Sequence, residues 1–207
     1  MCKKLFLSAS FRDTAVLLPD FIKDFSEVKG VTFIPTASRT EKMPFYVKAG
    51  RKALESLGFF VDLLDISSAS PSEISKKLTS NDAIYISGGN TFYLLQELKR
   101  TGADLLLREQ IFKGKLYIGE SAGSVILAPD IAYMQDMDDA SAAKELTSFD
   151  ALGVVPFYPI PHYTNFPFAR AAARMVYDYA HLPICPISNR QVILVAGDTH
   201  RVAEVTA

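Results

Sequence analysis

The most informative stretch of this 207-residue chain is Leu116-Tyr117-Ile118-Gly119-Glu120-Ser121-Ala122-Gly123-Ser124. It places the motif G-x-S-x-G between an apolar run and a short helical segment, and small residues around a serine allow a strand to turn sharply into a helix with the hydroxyl above the sheet. The helix N-terminus that follows favours negative charge developing on a substrate. The motif therefore predicts Ser121 as a nucleophile. The alternative is a Gly-rich helix start that Ser121 merely caps.

On both sides of this motif, short apolar runs alternate with longer segments of helical periodicity, as a parallel sheet covered by helices requires. The predicted strands up to the motif are Lys3–Ser8, Val31–Pro35, Phe60–Leu64, Ala83–Ser87 and Leu116–Gly119. The predicted helices are Val16–Lys29, Pro44–Leu57, Pro71–Leu78 and Thr91–Phe112, the last broken at Gly102. This order predicts one three-layer α/β/α hydrolase domain over residues 1–207, with a mostly parallel sheet and its site at the carboxyl ends of the strands.

The pattern is less regular after Ser121. The predicted elements are a short helix at Ala122–Leu127, a loop over Tyr133–Asp150, an edge strand at Val154–Ile160, a helix at Phe168–Ala180 and closing strands at Ile184–Ser188, Gln191–Ala196 and Thr199–Val205. The strand at Val154–Ile160 is expected to be irregular because Pro156 and Pro159 cannot donate to a ladder.

Composition indicates a globular protein with a small ligand. Apolar residues make up 49% of the chain, charged residues 22%, and the net charge is −1, so the basic excess of a nucleic-acid binder is missing. Cys2 and Cys185 have no metal-ligand spacing, and we expect no disulfide, metal or cofactor. The apolar run at the start is too short for a secretory signal, and no run suits a membrane span. We therefore expect a cytoplasmic protein, monomeric or homodimeric, without nucleic-acid or membrane partners.

A serine nucleophile needs a base, normally a histidine, and the chain has three: His162, His181 and His200. His181 ends a predicted helix, where a cation commonly caps the last turn, and His200 follows a turn. His162 lies just past a predicted strand in Pro161-His162-Tyr163, where a loop can hold it at the carboxyl edge of the sheet. His162 is the predicted base, and a packed structural imidazole is the alternative.

The oxyanion of an acyl-transfer intermediate requires preorganised backbone donors. The amide of Ala122, directly after the nucleophile, is one candidate. Gly88 and Gly89, which follow a strand and open a helix, are the others, because glycines let the main chain approach a substrate closely. A phosphate cradle is disfavoured because neither G-x-G-x-x-G nor a lysine-bearing P-loop is present, and a plain structural turn is the other alternative.

Together, Ser87-Gly88-Gly89-Asn90-Thr91-Phe92, the motif around Ser121 and Pro161-His162 resemble the peptidase E family of serine peptidases (family S51), relatives of cyanophycinase. Phe33-Ile34-Pro35-Thr36-Ala37 fits the same pattern, and the similarity covers nearly the whole chain. The resemblance implies a class I glutamine amidotransferase-like, flavodoxin-like fold. It also implies Ser121 as nucleophile, His162 as base, an oxyanion hole around Gly88, Gly89 and Ala122, and no metal.

For the third catalytic residue, the resemblance points to an acid about fifteen positions beyond the serine, a place that Asp136 occupies here. A second family carboxylate falls in the late turn Ile187-Ser188-Asn189-Arg190, which contains no acid. Asp136 is therefore the predicted third member. The alternatives are that Asn189 or Ser188 orients His162, that catalysis is impaired, or that Asp136 is one more solvated charge.

The residues expected to contact the substrate match the family pattern less closely than the catalytic residues do. The family's dipeptidases favour an N-terminal aspartate, and basic groups after the histidine would hold its carboxylate; Arg170 or Arg174 is the candidate here, with simple solvent exposure as the alternative. Glu120 replaces an aromatic residue of the family pattern and is expected either to attract a substrate ammonium group or to repel an acidic side chain.

These observations predict a serine-type peptidase that hydrolyses short peptides. A protein that binds small peptides or amino acids without turnover is the alternative. Amidotransfer is disfavoured, because such enzymes usually carry cysteine at this turn.

Overall fold

Nine strands lie within residues 3–23, 28–42 and 44–206, the part of the chain that this computed structural model describes. They are β1 (Lys4–Ser8), β2 (Gly30–Ile34), β3 (Phe60–Leu63), β4 (Ala83–Ile86), β5 (Leu116–Glu120), β6 (Tyr158–Ile160), β7 (Ile184–Pro186), β8 (Gln191–Ala196) and β9 (Thr199–Glu204). Cys2 is outside the described residues.

Seven of these strands form the central sheet, in the order β3-β2-β4-β5-β1-β8-β9. The pairs from β3 to β1 are all parallel, and the hairpin of β8 and β9 adds on antiparallel beside β1. The run β3-β2-β4-β5 matches the first four places of the flavodoxin-like order 2-1-3-4-5. The predicted α/β architecture with a mostly parallel sheet is confirmed.

Helices follow most of the parallel strands. They are α1 (Phe11–Thr14), α2 (Leu18–Phe21), α3 (Phe45–Ser56), α4 (Pro71–Ser80), α5 (Thr91–Thr101), α6 (Ala103–Phe112), α7 (Ala122–Val125) and α8 (Ala169–Asp178). The predicted break between α5 and α6 is confirmed at Gly102, whose φ is 73°.

The single helix predicted over Val16–Lys29 is wrong. Helical structure begins earlier, in α1, passes through a 3-10 turn at Ala15–Leu17 and restarts in α2. Proline has no amide hydrogen and fits only the first turn of a helix, so Pro19 makes a new helix begin at Leu18. Residues 24–27 of the predicted helix are outside the described part.

The helices cover both faces of the sheet, because successive side chains of a strand point to opposite sides. On one face, Leu5 and Leu7 of β1 join a core with α4, α5, α6 and α7. On the other, Phe6 joins a core with Phe11 of α1 and Leu54 of α3. All five side chains are fully buried. This produces the three layers expected from the sequence.

β6 and β7 pair in parallel as a separate two-stranded sheet, which corrects the longer strands predicted at Val154–Ile160 and Ile184–Ser188. Each observed strand has three residues and contains a proline, Pro159 or Pro186, which cannot donate to a ladder. This small sheet matters for the site, since β6 ends two residues before His162 and β7 leads directly into the turn at Asn189.

Candidate active site

Ser121 occupies the turn between β5 and α7 in a backbone conformation that residues other than glycine rarely adopt. Its φ is 50° and its ψ is −110°. The Ser121 amide donates to the carbonyl oxygen of Ser8 at 2.9 Å, and the amides of Ser124 and Val125 donate to the carbonyl oxygen of Ser121. These bonds hold a conformation that costs on the order of 1–3 kcal/mol, and such strain typically persists at functional turns.

Close backbone contacts explain both glycines of the motif. A Cβ on Gly119 would lie 2.5 Å from the carbonyl oxygen of Gly123, and one on Gly123 would lie 2.1 Å from the carbonyl oxygen of Ile86. Only glycine fits either position while α7 packs this closely over the ends of β4 and β5.

His162 lies between Ser121 and Asn189. Its Nε2 is 3.0 Å from Ser121 Oγ, and its Nδ1 is 2.7 Å from Asn189 Oδ1. The imidazole packs against the ring of Phe168, with ring centroids 5.0 Å apart. The small sheet of β6 and β7 supports both His162 and its partner Asn189, because β6 leads to His162 and β7 leads to Asn189.

Asn189 determines which nitrogen of His162 carries the proton. An amide oxygen only accepts, so Oδ1 facing Nδ1 favours a proton on Nδ1 and leaves Nε2 to accept from the Ser121 hydroxyl. The backbone amide of Asn189 donates to Asn165 Oδ1 at 2.8 Å, and this bond fixes the turn that carries Asn189. Burial lowers the pKa of His162, partly opposed by its hydrogen bond to Asn189. The imidazole is therefore neutral at neutral pH and able to take a proton.

Asp136, the predicted third member, is not beside His162, and this assignment is corrected. Asp136 is exposed at the end of the 3-10 turn Ala132–Asp136. The pKa of Arg174 on α8 is raised mainly by a hydrogen bond to Asp178, and the charge of Asp136 adds to it. The turn thus directs Asp136 toward the surface of α8, while the chain after β7 brings Asn189 to the imidazole.

The acid of this segment that faces the site is Asp138, which no sequence motif indicated. Its Oδ2 accepts hydrogen bonds from the amide of Thr91 at 2.9 Å and from Thr91 Oγ1 at 2.5 Å. Burial raises the pKa of Asp138, and these bonds oppose the rise. Asp138 thereby fixes the start of α5, directly after the Gly88-Gly89 loop. The acidic run around position 136 was a signal for this residue, but the spacing selected the wrong member.

The glycine loop after β4 passes beside the nucleophile. A Cβ on Gly88 would lie 3.3 Å from the Cβ of Ser121, and one on Gly89, whose φ is 134°, would lie 2.2 Å from the carbonyl oxygen of Ala37. Both predicted glycines and Ala122 are therefore near Ser121. The Gly88 backbone also lowers the pKa of the Glu120 carboxyl, so it acts on that carboxyl as well as lying beside Ser121. The part of Gly88, Gly89 and Ala122 in an oxyanion hole stays a prediction.

Glu120 is a buried carboxyl in the pocket wall, with 3% of its surface exposed. Its Oε2 accepts from Tyr85 Oη at 2.7 Å, and its Oε1 accepts from the Phe11 amide at 2.9 Å. Burial raises the pKa of Glu120 from 4.5 to about 7, although these donors and the Gly88 backbone lower it. The predicted substrate contact is thus also a structural group that joins β5 to β4 and α1.

A cavity of about 280 Å³ opens at Ser121, slightly below the roughly 300–1,000 Å³ common for ligand sites. Tyr46 and Glu41 line one wall and Phe166, Pro167 and Phe168 another. The sequence offered no signal for Tyr46 or Glu41, which lie on and just before α3.

Arg170, the predicted carboxylate contact, does not line this cavity. Helix α8 buries Ala172 and Met175 against the core, which turns Arg170 and Arg174 to the exposed face of the helix. Arg174 pairs there with Asp178 at 3.1 Å. The prediction of a carboxylate fork in the pocket is therefore corrected.

The other nucleophile and base candidates lie elsewhere. His181 and His200 are exposed and contact the rings of Tyr179 and Phe157, and burial raises the pKa of the Cys185 thiol. Within residues 3–23, 28–42 and 44–206, no group of three or more His, Cys, Asp and Glu side chains is suited to hold a metal ion. No helix in that same part of the chain is long and apolar enough to cross a membrane.

Comparison with protein families and sequences places this chain among peptidases. Residues 5–203 match the model of peptidase family S51. An uncharacterized peptidase of Listeria monocytogenes is 54% identical over 196 residues, which are 94% of this chain and 95% of that protein. Peptidase E of a Nostoc species is 37% identical over 147 residues, covering 70% of this chain and 57% of the longer relative.

Solved structures agree with the fold. The crystal structure of a Listeria monocytogenes protein assigned to peptidase E superposes with a TM-score of 0.94 at 50% identity, covering 100% of both chains. A peptidase from an acI-B1 actinobacterium gives a TM-score of 0.75 at 23% identity, over 99% of this chain and 88% of the other. The second likeness concerns the fold alone.

Proposed function

The chain belongs to peptidase family S51 and is a peptidase, and from this premise we propose that it hydrolyses short peptides by serine chemistry, with Ser121 as the nucleophile and His162 as the general base. One observation carries the proposal: Ser121 Oγ lies 3.0 Å from His162 Nε2, within the reach required for proton transfer. The cavity at Ser121, of about 280 Å³, suits the side chains and backbone of a short peptide.

In the proposed reaction, His162 Nε2 takes the hydroxyl proton as Ser121 Oγ attacks the scissile carbonyl carbon. The amides of Gly89 and Ala122 stabilise the oxyanion of the tetrahedral intermediate. The imidazolium then gives its proton to the departing amine, and an acyl-enzyme remains. Water, deprotonated by His162, releases the acid and restores Ser121. Asn189 Oδ1 holds the imidazole in one orientation and tautomer throughout.

Asn189 distinguishes this arrangement from one with a carboxylate. Its amide oxygen orients His162 but carries no full negative charge to stabilise the imidazolium, as in the Cys-His-Asn arrangement of other proteases. We therefore expect a peptidase of modest turnover. The same residue favours a second candidate function, in which the protein binds short peptides without cleaving them.

A dipeptide library separates these functions. The wild type should release amino acids from a subset of the peptides, and Ser121→Ala should abolish release. Asp136→Ala is the matched control and should leave turnover unchanged, because Asp136 is exposed and its charge acts on Arg174. Peptide binding by the folded wild type without release of products would support the second function, and full turnover by Ser121→Ala would refute the first.

A further inference from the structure

The wall of the cavity at Ser121 carries carboxyl groups without a cationic side chain to balance them. Glu41, Glu120 and Asp138 all line it, whereas none of its described lining residues is lysine or arginine. Burial lowers the pKa of His162, the one basic side chain among them, so the imidazole adds no charge at neutral pH. The electrostatic character of this pocket is therefore acidic.

Tyr46 on α3 lines the same cavity as the three carboxyls. Tyr46 Oη donates to Glu41 Oε2 at 2.7 Å. The pKa of Tyr46 is raised first by burial and then by Glu41, Glu120 and Asp138, so all three charges act on the same side chain. A Cβ on Gly88 would lie 3.3 Å from Tyr46 Cε2 and equally 3.3 Å from the Ser121 Cβ. Tyr46 thus places the acidic wall beside the nucleophile.

The protein groups that satisfy these acids are neutral. Glu120 accepts from a tyrosine hydroxyl and a backbone amide, Asp138 from the amide and hydroxyl of Thr91, and Glu41 from Tyr46. Carboxylates held in a partly dry site without a cation are costly, and a bound positive charge lowers that cost. A shared metal ion is not the counter-charge, since no such cluster occurs within the described residues.

We propose that this pocket selects peptides that present an ammonium group next to the scissile bond and rejects an acidic residue at that position. The inference rests on the proposed function for the location of the scissile bond. The group is either the α-ammonium of an N-terminal residue or a lysine side chain on that residue, since both offer the same charge and the same N–H donors. An N-terminal aspartate would bring its own side-chain carboxylate close to Glu41, Glu120 and Asp138. Binding of such a peptide would be disfavoured by the repulsion between like charges.

Binding to Ser121→Ala, measured by titration calorimetry, tests this without requiring turnover. Ala-Ala should bind roughly tenfold or more tightly than N-acetyl-Ala-Ala, the usual yield of a hydrogen bond to a charged group. Asp-Ala should bind more weakly than Ala-Ala. Comparison of N-acetyl-Lys-Ala with N-acetyl-Ala-Ala shows whether a lysine side chain replaces the α-ammonium.

Glu41→Gln removes one charge of the wall and should reduce the preference of Ala-Ala over its acetylated form. Glu55→Gln is the matched control: it removes an exposed carboxylate near the end of α3 that pairs with Arg51 and should leave the preference unchanged. Ser121→Gly provides a second host protein if Ser121→Ala folds poorly, because glycine accepts the backbone conformation at this turn.

Equal affinity for Ala-Ala and both acetylated peptides, tighter binding of Asp-Ala, or no measurable binding of any cationic peptide would each overturn the inference. Turnover by the wild type is recorded separately. Turnover without a charge preference would refute the acidic selection alone, whereas a charge preference without turnover would refute the proposed catalysis alone.

Discussion

Replacing Asn189 by aspartate exchanges the neutral acceptor beside His162 for a charged one at nearly the same position. The distance between Asn189 Oδ1 and His162 Nδ1 is 2.7 Å, which suits a charge-assisted hydrogen bond. Hydrogen bonds to charged groups contribute about 1.5–3 kcal/mol, and neutral ones about 0.5–1.5 kcal/mol. The new carboxylate should therefore stabilise the imidazolium in the transition state by about 1–2 kcal/mol, a gain in kcat of roughly five- to thirtyfold.

Two physical considerations limit the expected gain in kcat. A unit charge about 4 Å from the imidazolium would contribute about 4 kcal/mol at an effective dielectric constant near 20, and partial solvent exposure of residue 189 reduces that value. The loss of about 10⁴ seen when a triad aspartate becomes asparagine includes a reversed tautomer. Here Asn189 Oδ1 already holds the productive tautomer of His162. Introducing a carboxylate should therefore raise kcat by much less than 10⁴.

The assay is kcat and kcat/KM against pH, with the His162 pKa followed by NMR of the imidazole. In the wild type, kcat/KM should fall as pH drops through a His162 pKa below its ordinary value of 6.5, because burial lowers it. Asn189→Asp should move this limb to higher pH and raise kcat, while Asn189→Ala should lower kcat. Asn165→Asp adds the same charge nearby without contact to the imidazole and should give a much smaller gain. A raised His162 pKa with unchanged or reduced kcat would refute the reasoning.

Three further predictions concern stability. Ser121→Gly should have an unfolding free energy about 1 kcal/mol higher than Ser121→Ala in urea titrations, because glycine relieves the strained backbone; equal values would contradict the strain. The rise in the pKa of Glu120 from 4.5 to about 7 corresponds to roughly 3 kcal/mol. This contribution to the free energy of unfolding is fully present below pH 4.5 and is lost as pH rises through 7. Glu120→Gln should remove that pH dependence, and parallel stability curves would argue against it. Gly89→Ala should cost about 3 kcal/mol or more, because its Cβ meets Ala37, whereas Gly58→Ala, with nothing within 4 Å, should cost only about 1 kcal/mol; similar thermal shifts for both would refute the steric argument.

The catalytic turn was predictable because local sterics dictate its sequence. Gly119 and Gly123 are needed where a helix begins this close to neighbouring strands. The glycines of the motif therefore predict a sharp turn from strand to helix. His162 followed by elimination, since His181 and His200 had plausible structural places of their own. Periodicity sufficed for the layers and for most strands of the sheet for the same reason: burial on two faces leaves a regular apolar pattern.

Asn189 was one of the alternatives for the partner of His162 and is the one observed, but spacing along the chain favoured Asp136. Asn189 reaches the imidazole only because β7 pairs with β6, and the prolines of those short strands concealed the pairing. Asp136 and Asp138 differ by two positions, and the 3-10 turn that sends one to the surface and the other to the pocket leaves no periodic signal. The acidic wall was equally hidden, since Glu41 and Tyr46 reach Ser121 from a different part of the chain.

Covalent labelling with a fluorophosphonate probe, mapped by peptide mass spectrometry, tests most directly whether residue 121 is an activated nucleophile. The account predicts modification of the wild type at the Ser121 hydroxyl alone, and much slower modification of a folded His162→Ala variant. A folded wild type that remains unmodified at Ser121, or a His162→Ala variant that reacts at the wild-type rate, would contradict it.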